Sequence, residues 1–279
     1  MSWDDAVESL TGVAPLRWER LSWPGLQALR DEGSELVLLP VGATEQHGPH
    51  LPVCTDSAIA SAVCSYASAR CRVPVLPTLS YGVSVGHTER WPGTLSMMHE
   101  TLALQIREMC WWLLRQGWRR LLIVNSHFGN QAALAVAVDR LRFDYRDDLQ
   151  IGLLNSYALT PEIFSYFTCD GDDIHANRAE TDLMLYLDPS ACDMTLAVDD
   201  PDRTAGKVFS YLVPATSTNG VTGSPTEASV ERGKALLKEM GDALTDLVER
   251  ARTETAPLPL AEGLDRSGRT VQHHPLSND

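Results

Sequence analysis

Leu36-Val37-Leu38-Leu39-Pro40-Val41-Gly42-Ala43-Thr44-Glu45-Gln46-His47-Gly48-Pro49-His50-Leu51-Pro52, with Asp56 four residues further on, reads as a buried strand running straight into a polar loop. The run Leu36 to Val41 is apolar without alternation, as in a strand covered on both faces. The loop after it holds the carboxylates Glu45 and Asp56 and the imidazoles His47 and His50. These are the oxygen and nitrogen donors that divalent Zn, Mn or Fe prefer. The carboxyl end of a buried strand is also where α/β proteins build their sites.

Outward from this stretch, strand and helix patterns alternate, which predicts βαβ units and a mostly parallel sheet in an α/β fold. Strands are read over 35–41, 72–79, 120–125 and 150–155, and helices over 24–32, 56–70, 101–116, 130–143, 179–187 and 226–252. Thr55 or Asp56 is placed to cap the second of these helices. Arg120–Asn125 is apolar enough to be a central strand. Leu102, Ile106, Met109, Cys110 and Leu113 recur at helical spacing, and Trp111 and Trp112 widen that face toward contact with another subunit. From Thr253 onward periodicity is lost, so a single domain over 1–252 and a loosely held tail over 253–279, containing His273 and His274, are expected.

At 279 residues, with 44% hydrophobic and 22% charged residues, the composition is that of a globular protein. No apolar run approaches a membrane span, and the acidic start Met1-Ser2-Trp3-Asp4-Asp5 is unlike a signal peptide, so a cytoplasmic location is expected. A net charge of −14 argues against nucleic acid or an anionic membrane as partner. The six cysteines show no C-x-x-C spacing and read as free thiols.

Further segments offer matching chemistry. Asn125-Ser126-His127-Phe128-Gly129-Asn130 places His127 at the end of the central strand. Asp173-Ile174-His175-Ala176-Asn177-Arg178-Ala179-Glu180 places His175 in a loop and Glu180 in a helix's first turn, where the two can converge. Gly86-His87-Thr88-Glu89-Arg90-Trp91-Pro92-Gly93-Thr94 reads as an ordered loop whose His87, Glu89 and Trp91 line a pocket. Arg178 lies between His175 and Glu180 and is a candidate for an anionic substrate group. The combined inventory suits two metal ions sharing a carboxylate, which lower the pKa of a water between them.

These segments resemble the creatininase family of metal-dependent amidohydrolases. The match runs in order from the Glu45 loop and Asp56 through W-P-G-T, N-S-H-F-G-N and H-A-N-R-A-E-T to Gly220-Val221-Thr222-Gly223-Ser224-Pro225-Thr226-Glu227-Ala228-Ser229. The resemblance implies a single creatininase-like domain of three layers, α/β/α, two divalent ions per chain, and a homohexamer built as a trimer of dimers. It implies Glu45 and His127 as ligands of one ion, His47 of the other, Asp56 as the bridge and His175 as a proton shuttle. Creatinine-hydrolysing members carry a glutamate where this chain has Gly129, and Glu180 is then the replacement ligand. Their loop tryptophans correspond to Ala158 and Gly171, so stacking on creatinine is lost. The expected activity is hydrolysis of a non-peptide C–N bond, an amide or cyclic amide of a small molecule. The alternatives are a family peptidase of the mycofactocin type that trims a ribosomal precursor, a ring-opening hydrolase of a keto-sugar, and a metal-binding scaffold without turnover.

Overall fold

A computed structural model describes residues 3–87, 90–146 and 148–258 of the chain. Glu89, His273 and His274 lie outside the described residues, as does the tail beyond Leu258. The strands are β1 (Leu36–Val41), β2 (Arg120–Asn125) and β3 (Gln150–Asn155). The helices are α1 (Trp3–Thr11), α2 (Trp23–Asp31), α3 (Thr55–Cys71), α4 (His99–Arg115), α5 (Gln131–Asp144), α6 (Pro161–Phe167), α7 (Arg178–Leu187), α8 (Val213–Thr216) and α9 (Val230–Thr253). None of the described helices is long and apolar enough to cross a membrane.

The strands form one parallel sheet in the order β1-β2-β3, with β2 central as its apolar run predicts. The register is flush, Val41 pairing with Asn125 and Asn125 with Asn155. The loops that follow the strands therefore leave from one edge of the sheet. Alternation along the strands sends Val37, Leu39, Val41, Leu121 and Ile123 into a core with α4 and α5. Leu36, Leu38 and Val124 enter the opposite core, with α3, α7 and α9. The result is three layers, helices covering both faces of the sheet. Each aliphatic side chain fully buried in these cores contributes about 1.5–3 kcal/mol.

Nearly all of α3 is buried, which explains its run of Ala and Ser: it lies between the sheet and α1, α7 and α9, where small side chains permit close approach. Neither Thr55 nor Asp56 caps it. Both lie inside its first turn, and Cys54 occupies the cap position without a side-chain bond. The Asp56 carboxylate is thereby left to the strand-end loops.

The segment 72–79 is not a strand. It touches the sheet only through single bridges, Leu38 with Val75 and Val41 with Leu79. Pro74 and Pro77 lack the N–H groups that a ladder needs. The other predicted elements shift only at their ends. The closing helix begins at Val230, because Pro225–Glu227 forms a separate short turn before it. Of the cysteines, Cys64, Cys71 and Cys110 are buried and Cys169 is exposed, all of them unpaired.

Candidate metal centre

The flush strand ends bring the separated sequence segments together. Glu45 and His47 come from the loop after β1, and His127 from the loop after β2. Asp56 comes from the first turn of α3, while His175 and Glu180 come from the entry and first turn of α7. The start of α7 is shaped by Asn177, whose side-chain oxygen accepts from the Glu180 N–H at 3.1 Å, and by Ala176, which turns the chain with φ +50°. The Ala176 N–H in turn donates to Glu180 Oε2 at 2.6 Å.

The donor atoms fall into triads that each lie within 4.8 Å: Glu45 with Asp56 and His127, His47 with Asp56 and Glu180, and Glu45 with His47 and His175. Asp56 joins the first two, its Oδ2 at 3.1 Å from His127 Nδ1 and its Oδ1 at 3.4 Å from His47 Nε2. Glu45 lies 3.3 Å from His127 Nε2 and 3.2 Å from His175 Nδ1. Other bonds orient the imidazoles. His47 Nδ1 meets the Glu45 carbonyl at 3.0 Å, leaving Nε2 to the carboxylates. His127 Nε2 meets the Val83 carbonyl at 2.9 Å, leaving Nδ1 to Asp56.

All these groups are buried, and their charges are strongly coupled. Burial alone would lower the His47 imidazole, but Asp56, Glu180 and Glu45 outweigh it and carry it up to about 10. His127 rises to about 9 against the same burial, through Glu45 and Asp56. Burial pushes Glu180 up to about 7, with His47 pulling against it. Burial likewise raises Glu45. Asp56 goes the other way, because His47 and His127 overcome its desolvation. Both Glu45 oxygens, His47 Nε2 and Asp56 Oδ2 are buried without a hydrogen-bond partner among the described residues. A cluster with this many unsatisfied donor atoms fits a resident cation.

Glu45, Asp56, His127, His175 and Glu180 open into a cavity of about 240 Å³. His87 lines it, with Nδ1 at 3.4 Å from Glu45 Oε1. Trp91 and Arg178 are not in its described wall. The Arg90 guanidinium stacks over Trp91 at 5.1 Å. Arg178 pairs with Glu227 at 3.2 Å and stacks on Tyr166. Two residues along a helix turn a side chain by about 200°, which takes Arg178 away from Glu180. His50 joins none of the triads. Its Nε2 bonds Thr181 Oγ1 at 2.9 Å, and burial with the nearby His47 holds it down to about 4.

Sequence reasoning missed Ser84, His99, Ser126 and Tyr157 in the cavity wall. Tyr157 follows β3 as His127 follows β2, and that equivalence is the signal that could have found it. Its hydroxyl is buried with no partner among the described residues. Tyr157→Phe is therefore expected to leave stability within about 0.5 kcal/mol of the parent, where loss of a made hydrogen bond costs about 1. Urea denaturation checks this, and a loss above 1 kcal/mol would mean that the hydroxyl is bonded internally.

Comparison with known proteins identifies the family. The model of the family described as Creatininase: Creatinine amidohydrolase matches residues 19–248. The chain is 34% identical over 241 residues to a mycofactocin precursor peptide peptidase of Mycobacterium tuberculosis, covering 78% of this chain and 86% of that protein. It is 30% identical to creatinine amidohydrolase of Pseudomonas putida, covering 82% and 94%. A solved creatininase variant described as Zn-Zn type superposes with a TM-score of 0.77 at 28% identity, over 85% of this chain and 98% of the other. The chain belongs to the creatininase family of hydrolases.

Proposed function

We propose that this chain is a two-metal hydrolase that cleaves an amide C–N bond. The observation that carries the reading is the pair of buried donor triads joined by Asp56. Glu45, Asp56 and His127 would hold one ion, and His47, Asp56 and Glu180 the other. The all-oxygen-and-nitrogen donor set suits Zn, Mn or Fe. When bound, such ions polarise a substrate carbonyl and lower the pKa of a coordinated water.

The remaining residues position groups and manage a proton. Glu180 supplies the carboxylate that Gly129 lacks, and its Oε2 lies 4.0 Å from His47 Nε2. His175 sits beside the carboxylates with Nδ1 3.2 Å from Glu45 Oε1, placed to pass a proton to a departing amine. Such a relay contributes about 10² to 10⁴ in rate. Because His175 also forms a triad with Glu45 and His47, ligand and relay must be separated by experiment. His175→Ala is expected to keep its full metal content and lose turnover. Loss of metal in that variant would make His175 a ligand instead.

The substrate of the leading reading is a small-molecule amide or cyclic amide. A second reading, trimming of a ribosomally made peptide, has a specific observation in its favour. Phe128, Tyr211 and Leu212 line the cavity and are each more than half exposed, an apolar rim suited to extended chains. The similarity to mycofactocin precursor peptide peptidase points the same way. Incubating zinc-loaded protein with a panel of cyclic amides and short peptides, with release of amine as the readout, tests the proposal. Turnover of either class supports amide hydrolysis and chooses between the readings. Turnover of neither, at full metal content, overturns it in favour of an inactive scaffold.

A further inference from the structure

Between the ligand candidates Glu45 and His47 lies Gln46, a residue with no ionisable group and only 4% exposed. Its amide nitrogen meets His175 Nε2 at 2.8 Å, His87 Nδ1 at 3.0 Å and the Gly220 carbonyl at 3.3 Å. Its oxygen accepts from the Gly48 N–H at 3.0 Å. That last contact fixes the orientation of the amide, because a backbone N–H can only donate. The end facing the imidazoles is therefore the NH₂ group. An amide nitrogen accepts no hydrogen bond. However its two protons are shared among the three neighbours, an imidazole nitrogen facing it at these distances must carry no proton.

We infer that Gln46 sets the tautomers of both cavity histidines. His175 is bare at Nε2 and protonated at Nδ1, the atom that faces Glu45 Oε1. His87 is bare at Nδ1 and protonated at Nε2. The inference rests on the reading of His175 as the proton-carrying group and refines it. His175 begins with its proton on Nδ1, the nitrogen 3.2 Å from Glu45 Oε1 though not hydrogen-bonded to it, and its lone pair is turned toward Gln46. Gln46 is thus a positioning residue that acts through His175.

The closing segment of the family resemblance gains a reason as well. A Cβ at Gly220 would lie 2.2 Å from Gln46 Oε1, and Gly220 has φ +82°, so only glycine leaves room for this amide. Two residues on, the Thr222 N–H donates to the His175 carbonyl at 2.8 Å, so the same segment holds both partners.

The test is long-range ¹H–¹⁵N correlation on zinc-loaded protein labelled with ¹⁵N-histidine, the His175 signals being identified by their loss in His175→Gln. The parent is expected to show His175 with a protonated Nδ1 and a bare Nε2. Gln46→Glu keeps the shape but replaces the donor with an acceptor, so it should move the His175 proton to Nε2. Gln46→Met removes the donor and should let both tautomers populate. A parent His175 protonated at Nε2, or bound to zinc through Nδ1, overturns the inference without any variant. An unchanged tautomer in a folded Gln46→Glu protein also overturns it. The tautomer is read whether or not the protein turns over substrate, while failure of the two-metal reading shows separately as missing zinc in elemental analysis.

Discussion

Purified Asp56→Ala protein is expected to fall from about two metal ions per chain to nearly none, with its fold intact. Asp56 is shared by two triads that otherwise have no member in common. Its two oxygens address different imidazoles, Oδ2 that of His127 at 3.1 Å and Oδ1 that of His47 at 3.4 Å. Removing it takes one carboxylate from each triad and leaves two donors apiece, fewer than a stable divalent site uses. The helix should survive, because Asp56 makes no capping bond in α3. Elemental analysis with far-ultraviolet circular dichroism checks both halves, and retention of both ions would remove Asp56 from the bridging role. Proton competition gives the result a pH dependence. Without ions, His47 rises to about 10 and His127 to about 9, so their protons must leave when metal enters. Reconstitution of the parent should therefore improve as pH rises through this range. Each ion at about one hundred times its dissociation constant adds about 2.7 kcal/mol of stability, and Asp56→Ala should forfeit that margin for both sites in urea.

Gly129→Ala is expected to destabilise the protein by about 1–3 kcal/mol and to reduce metal from about two ions to about one. A Cβ at this position would lie 2.2 Å from the Val83 carbonyl oxygen and 2.6 Å from His127 Nε2. Those same two atoms make the 2.9 Å hydrogen bond that aims His127 Nδ1 at Asp56. Any side chain must therefore separate them and turn the imidazole. Gly129→Glu, which supplies the carboxylate of creatinine-hydrolysing relatives, should fail for the same reason rather than restore a ligand. Urea denaturation and metal analysis of both variants test this. Parental stability with full metal in Gly129→Ala would show that the Val83 backbone yields freely.

The parts of the fold legible in the sequence were those with uninterrupted physical signals. β1, β2 and β3 are apolar runs, and α4 carries a long 3.6-residue pattern. The 72–79 run has the same apolar character, but its prolines remove ladder donors, and composition alone did not weigh them heavily enough. The short helices α1, α6 and α8 escaped notice. The donor residues were legible because ionisable groups at strand ends and helix starts are few and their positions are equivalent. What stayed hidden was neutral or directional. Gln46 carries no ionisable group, and Tyr157 is an aromatic just past an apolar strand, so neither signals a site in the sequence. Arg178 is adjacent to Glu180 along the chain, but two positions along a helix point in nearly opposite directions.

The most direct test of the account is the number of transition-metal ions per chain, measured on the purified parent after reconstitution with Zn or Mn, beside Glu180→Ala. About two ions are expected in the parent and about one in the variant. One or none in the parent, or two retained without Glu180, would contradict it.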